Sequence, residues 1–245
     1  VANLLLASWN GANLLAGVLQ IDMAEITIDR IIRSKRRTIS LLVTAEARLV
    51  VYAPFRTPLH YIKTVVTKKS SWIRQKQELL KERCRRNPPK EFVSGEAFLF
   101  LGISYPLRLV GDIMDIELEG SLKVPGHLLP DIKQALIDWY RKQAITRISE
   151  RVEWFAHLTH LQYRSVKITN ASRRLGSCGH KGTLNFSWRL IMAPPGVVDY
   201  VVVHELSHLV HMNHSPRFWN KVMSIMPDYA DKKRWLKENH YLLDI

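Results

Sequence analysis

The stretch "VVDYVVVHELSHLVHMNH", residues 197–214, decides how the rest of the chain is read. Taken alone, "VVDYVVV" looks like a buried strand, because β-branched residues favour extended backbone. The histidines argue for a helix instead. His204, Glu205 and His208 have the H-E-x-x-H spacing, which on a helix puts His204 and His208 one turn apart on one face. Their separation of about 6 Å along the axis lets both imidazoles reach one ion. On a strand they would lie roughly 13 Å apart, too far for tetrahedral zinc. A helix that is apolar all round is stable when buried. The spacing therefore predicts a buried helix from about Val197 to His211 or Met212.

H-E-x-x-H is only three fixed residues and arises by chance on ordinary helices. Its setting raises its value. Ionisable groups directly after an apolar run would be costly without partners, and metal ligation satisfies them. Two candidates exist for a third ligand. On a straight helix His211 would lie about 10 Å along the axis from His204, a poor tetrahedron. His214 follows Asn213, a residue that tolerates the left-handed conformation ending a helix. A turn there folds His214 back over the ion, so His214 is favoured, with His211 a helix-end cation. The metzincin proteases use the same six-residue offset with a glycine where this protein has His211, so the local turn differs. Three histidines leave an open fourth position, the mark of a catalytic zinc site. Zinc lowers the pKa of a water held there, and Glu205 is placed to act as general base, with a ligand or salt-bridge role as the alternative.

Outward from this segment, the 245 residues suffice for a real core, with 47% hydrophobic and 24% charged residues. Cys84 and Cys178 are too few for a disulfide framework or a four-cysteine zinc site. That usage fits a reducing compartment. Residues 1–22 are apolar but interrupted by Asn, Ser and Gly and lack a basic start, a poor signal peptide and a poor membrane span. They read as an N-terminal extension, with the ordered protein beginning near Met23. No later segment has the uninterrupted apolar length to cross a bilayer, and the expectation is a soluble, cytoplasmic protein without a membrane partner.

Residues 24–55 contain the β-like runs "ITIDRII", "TISLLVT" and "RLVVYAP". Thr57 as cap and Pro58 at the first helical position introduce one or two amphipathic helices. Short β-like runs resume after Pro89, with Gly102, Gly111 and Gly120 at turns. A long amphipathic helix is expected from Pro130, then strands "SVKIT" and "GTLNFSWRLI" flanking a Gly-rich turn, "LGSCGHKG". The predicted organisation is α+β: an extension (1–22), a basic β-rich domain with helices (23–125) and a helix–sheet–helix domain (126–245).

The net charge is +14, and residues 30–86 alone hold sixteen lysines and arginines against three acids. Such a basic N-terminal half suits an acidic partner, nucleic acid above all, or is a solvated surface.

The run "RRLGSCGHKGTLNFSWRLIMAPPGVVDYVVVHELSHLVHMNHSPRFW" resembles the YgjP-like metallopeptidase domain (domain of unknown function 45), related to the SprT and WLM zincin-like proteins. The pieces that carry the resemblance are Gly176-Ser177-Cys178, Leu184 to Leu190, Asp199 to Leu209 and Asn213 to Trp219. Residues 227–237 and parts of the N-terminal region extend it to about residues 25–240. Leu175 stands where the family has tryptophan. The resemblance implies a gluzincin-like core, an active-site helix on a small antiparallel sheet, with zinc on His204, His208 and His214 and Glu205 catalytic.

Other candidates are weaker. Arg173 and Arg174 suit a substrate carboxylate or phosphate, and strand "GTLNFSWRL", with Asn185, is a place for an extended peptide to add. Tyr200 and His180 are candidate oxyanion stabilisers. Phe218 and Trp219 read as residues holding the His214 turn, and Cys178 as a small packing residue. The leading function is a zinc-dependent peptidase acting on a polypeptide. The alternatives are a nucleotide phosphohydrolase acting on a small anion, and a DNA-associated protease or nucleic-acid-binding module. Oligomeric state is left open.

Overall fold

The computed structural model describes residues 26–111 and 113–245. The expectations for residues 1–22 and Met23 lie outside the described residues. Two compact units divide between Glu82 and Arg83.

The first unit is built from β1 (Arg30–Ser34), β2 (Ser40–Val43), β3 (Leu49–Pro54), α1 (Leu59–Lys68) and α2 (Ser70–Arg86), whose last turn runs past the division. β3 is central, parallel to β1 and antiparallel to β2. Its alternate residues Leu49, Val51 and Ala53 face one way, as the two-residue period of a strand requires. They form a core with Val43 and with Ile62, Val66 and Ile73 of the helices. Pro58, not Thr57, takes the N-cap position of α1, and that end has no side-chain cap. The turn before it is held by Arg33, whose Nη1 donates to the carbonyls of Pro54, Phe55 and Thr57 at 3.2, 3.0 and 2.7 Å.

The second unit begins with β4 (Ala97–Phe100), β5 (Ile103–Val110), β6 (Glu117–Leu118) and β7 (Leu122–Pro125), in the order β4-β5-β7-β6. The long α3 (Ile132–Thr159) leads to β8 (Ser165–Thr169), β9 (Gly176–Cys178) and β10 (Thr183–Ser187). Then come α4 (Pro195–Ser207), α5 (Pro216–Ile225) and α6 (Tyr229–Asn239).

The division is therefore some forty residues earlier than the boundary expected at 125/126. Packing supplies the reason. Phe98, Phe100, Leu107, Leu122 and Val124 of the four-stranded sheet share one core with Tyr140 of α3 and Trp188. Tyr140 Oη donates to the Leu99 carbonyl at 2.8 Å. The β4–β5 turn, Leu101 and Gly102, has positive φ at both positions, the geometry a two-residue hairpin favours. Its N–H groups donate to the carbonyls of Ile191 and Met192 at 2.8 and 3.0 Å.

The small sheet by the histidine helix is mixed, not antiparallel: β10 is central, parallel to β8 and antiparallel to β9. The strand expected through Ile191 stops at Ser187, and Trp188–Met192 form a 3-10 turn. Ser187 Oγ makes that exit, accepting from the Arg189 N–H at 3.3 Å and donating to the Ala171 carbonyl at 2.7 Å. Part of the expected Gly-rich turn is the short strand β9. The α+β class stands. No helix among the described residues is long and apolar enough to cross a membrane.

Candidate metal centre

α4 resolves the conflict between propensity and chemistry in favour of the helix. Pro195 occupies its first turn, where a missing N–H costs nothing, and the N–H groups of Val197 and Val198 reach the Pro194 carbonyl. Val197, Val198, Val201, Val202 and Val203 are all buried, so tertiary burial outweighs their strand preference. Arg151 of α3 grips Asp199 with Nε at 2.6 Å and Nη2 at 3.0 Å, a two-pronged bond that sets the position of α4 against α3.

The helix ends at Ser207, short of the expected His211. Residues 208–210 continue as a tightened turn, with the Leu209 N–H on the Leu206 carbonyl and those of Val210 and His211 on Ser207. His208 is still right-handed there, so the one-turn relation to His204 survives. Asn213 does not adopt the left-handed conformation expected of it. The backbone instead bends at residues 212–213 and enters α5 through Ser215 and Pro216, which carries His214 back over the face of α4.

The result brings His204, His208 and His214 together. One ring nitrogen from each lies within 4.8 Å of the others, and this group could hold a metal ion. His214 Nε2 and His204 Nε2 are 3.0 Å apart. His208 Nδ1 lies 3.0 Å from the His211 carbonyl, which can only accept, so Nδ1 carries the proton and Nε2 is left with its lone pair. His211 thus contributes its backbone rather than its ring. Burial and its two histidine neighbours push His204 down to about 3, which keeps it a neutral donor. Its Nδ1 is buried without a hydrogen-bond partner among the described residues. Three imidazoles converging on one point form the donor set that zinc favours, and these residues fit it.

Phe218 is fully buried beneath all three rings, with centroids 4.9, 4.5 and 4.8 Å from those of His204, His208 and His214. Trp219 stacks on His214 at 5.7 Å. Both residues hold the His214 turn, as the sequence suggests.

Glu205 is 5% exposed, and burial raises its pKa to about 8 against an opposing pull from Arg174. Its Oε2 is buried with no hydrogen-bond partner among the described residues. β9 passes so close that position 176 has no room for a side chain.

A cleft of about 250 Å³ opens beside Glu205 and His204, walled by Arg173, Leu175, Tyr200 and, from the C-terminal segment, Leu236 and His240. A larger cavity of about 500 Å³ in the first unit has neither histidine nor carboxylate in its lining. Of the residues expected to meet substrate, Arg173 and Tyr200 line the cleft, and Arg174 acts on Glu205 through its charge. Asn185 does not line it. Its Nδ2 donates to the Ser177 carbonyl and Oγ at 3.3 and 3.4 Å, so its amide ties β10 to β9. Nor can β10 accept an added strand, because both its edges are taken; the outer strands of this sheet are β8 and β9. His180 sits beyond the end of β9 and is not part of the cleft wall. Cys178 packs against the core, and burial with the Glu205 charge raises its thiol pKa, against a nucleophilic role.

The sequence profile of the family described as YgjP-like, metallopeptidase domain matches residues 37–239, most of the chain and across both units. The chain belongs to this family. As a YgjP-like protein it is a metal-dependent peptidase. No curated protein matches it. Among solved structures it is similar to the crystal structure of the metallopeptidase zymogen of Pyrococcus abyssi abylysin. The identity is 21% and the TM-score 0.34, over 37% of this chain and 93% of that one.

Sequence reasoning missed Gly176, the His211 carbonyl and the α6 contribution. The first is read from the sequence only as part of a Gly-rich turn and of the family resemblance, not as a contact of Glu205. The other two depend on how the backbone returns after residue 211, which no local pattern encodes.

Proposed function

We propose that the protein is a zinc-dependent peptidase whose ion is held by His204, His208 and His214 and whose general base is Glu205. The observation that carries this reading is the convergence of the three imidazoles beside a buried carboxylate. Zinc, when bound, supplies Lewis-acid polarisation of the scissile carbonyl. Glu205, buried beside the three imidazoles, can take a proton from the attacking water and return it to the leaving amine. Arg174 stabilises the ionised form, and the surrounding apolar wall destabilises it, so both states are accessible. The His208–His211 bond fixes the tautomer that presents Nε2.

Tyr200 stays protonated, its pKa pushed up to about 12 by burial and by Tyr229 and Glu205, and offers a donor to the substrate carbonyl. The position of β9 as an outer strand of its sheet supports an extended polypeptide lying alongside the cleft.

The test is hydrolysis of an unstructured polypeptide by the zinc-loaded protein, with nucleoside triphosphates assayed in parallel. Glu205→Gln is expected to lower turnover of the polypeptide by about 10³-fold while zinc is retained. Unchanged turnover in Glu205→Gln, or hydrolysis of triphosphates alone, would contradict the reading.

A further inference from the structure

The cleft beside Glu205 is uneven in charge. Glu205 is the one carboxylate in its lining among the described residues, and Arg173, an exposed residue, lines the same cleft. Among the described residues Arg173 makes no ion pair and no hydrogen bond. Two more cations act on the same place: Arg174 on Glu205, and Lys233 of α6 on His204. Lys233 is fixed over the Trp219 ring, 3.9 Å from its centroid. At the far wall, Asp244 acts on His240, but it already pairs with Arg189 at 2.8 Å. No spare carboxylate in the lining therefore answers Arg173. A guanidinium presents a planar fork of donors that matches a carboxylate, and one left unpaired beside a reaction centre is available to a substrate. Leu175 and Leu236 give the stem of that group an apolar wall, and the cleft has room for one side chain rather than a folded segment.

We propose that Arg173 is a specificity-determining residue that pairs with a carboxylate of the polypeptide substrate, supplied by an acidic side chain or by the substrate's own C-terminus. Arg174 and Lys233 add attraction over longer range. The proposal rests on the peptidase reading and names the substrate class it would favour.

Binding of peptides to the zinc-loaded, full-length Glu205→Gln variant separates the two. Four peptides of equal length are compared by fluorescence anisotropy at low salt. One has an internal Glu and an amidated end, one is neutral with a free C-terminus, one is neutral and amidated, and one has an internal Lys and an amidated end. The Glu peptide, the free-carboxylate peptide or both should bind about tenfold tighter than the neutral amidated one. Which of them does so identifies the source of the carboxylate. Adding Arg173→Ala should erase the advantage, and Arg173→Glu should move the preference to the Lys peptide, with circular dichroism confirming the fold of each. Peptides that bind alike or not at all, or a preference that survives Arg173→Ala, would overturn the pairing. Wild-type hydrolysis is read alongside. Carboxylate preference without turnover strikes the peptidase reading alone, and turnover without preference strikes the pairing alone.

Discussion

A Cβ at position 176 would lie 2.7 Å from Glu205 Cγ and closer still to its Oε1. The φ of Gly176 is not in the left-handed region, so the glycine is there for space rather than for backbone freedom. It lets β9 run directly against the carboxylate, which keeps Glu205 dry and aimed. Gly176→Ala must therefore push back either β9 or the Glu205 side chain. A displacement of about 1 Å at a catalytic group costs on the order of 10²-fold in rate. We expect kcat for polypeptide hydrolysis to fall by about that factor with zinc content unchanged. Steady-state kinetics with metal analysis checks this, and full activity in Gly176→Ala would show that the contact does not matter.

At the scale of elements, the β4–β5 hairpin is what joins the four-stranded sheet to the segment that launches α4. Gly102 has φ of +79°, and a Cβ there would meet the Pro194 Cα at 2.9 Å. Gly102→Ala combines a disfavoured backbone conformation with a clash against backbone. It is expected to cost about 2 kcal/mol, seen as a melting temperature lower by roughly 4–8 °C. An unchanged melting temperature would mean that the hairpin tip can move freely from Pro194.

The hairpin also marks the limit of what local pattern reveals. Gly102 was legible as a turn, but its docking onto residues 191–194 was not, because the hydrogen bonds span about ninety positions of sequence. For the same reason the four-stranded sheet was assigned to the wrong side of a boundary. The strand β7 carries only four residues and was missed, and β9 carries three and was taken for a turn. By contrast α3 and the histidine helix were legible. The first has a long uninterrupted pattern, and in the second two metal-ligand residue types stand four apart, a spacing that carries meaning on a helix alone. Burial then does for α4 what propensity does not: a valine run folds as a helix when every face has something to pack against.

For the whole molecule, the charge divides differently by unit than by sequence window. The unit ending at Glu82 carries thirteen lysines and arginines against six acids, and the remainder carries twenty-three against sixteen. Each is seven positive, so the cationic character is shared and not confined to the N-terminal part. The second unit holds its own core and, within it, every residue of the candidate centre. The His204–His208 pair was readable from spacing, and His214 from the need for a third ligand. The way His214 arrives, by a bend without a left-handed residue, came only with the packing of α5 and Phe218.

Metal content tests most directly whether these three histidines hold one zinc ion, as proposed. Elemental analysis of the full-length protein, refolded or purified with zinc and then desalted, should find one zinc per molecule. His204→Ala, His208→Ala and His214→Ala should each lose it, while His211→Ala and Glu205→Gln keep it. A wild-type protein without stoichiometric zinc, or one in which His211→Ala loses the ion and His214→Ala retains it, would contradict the account.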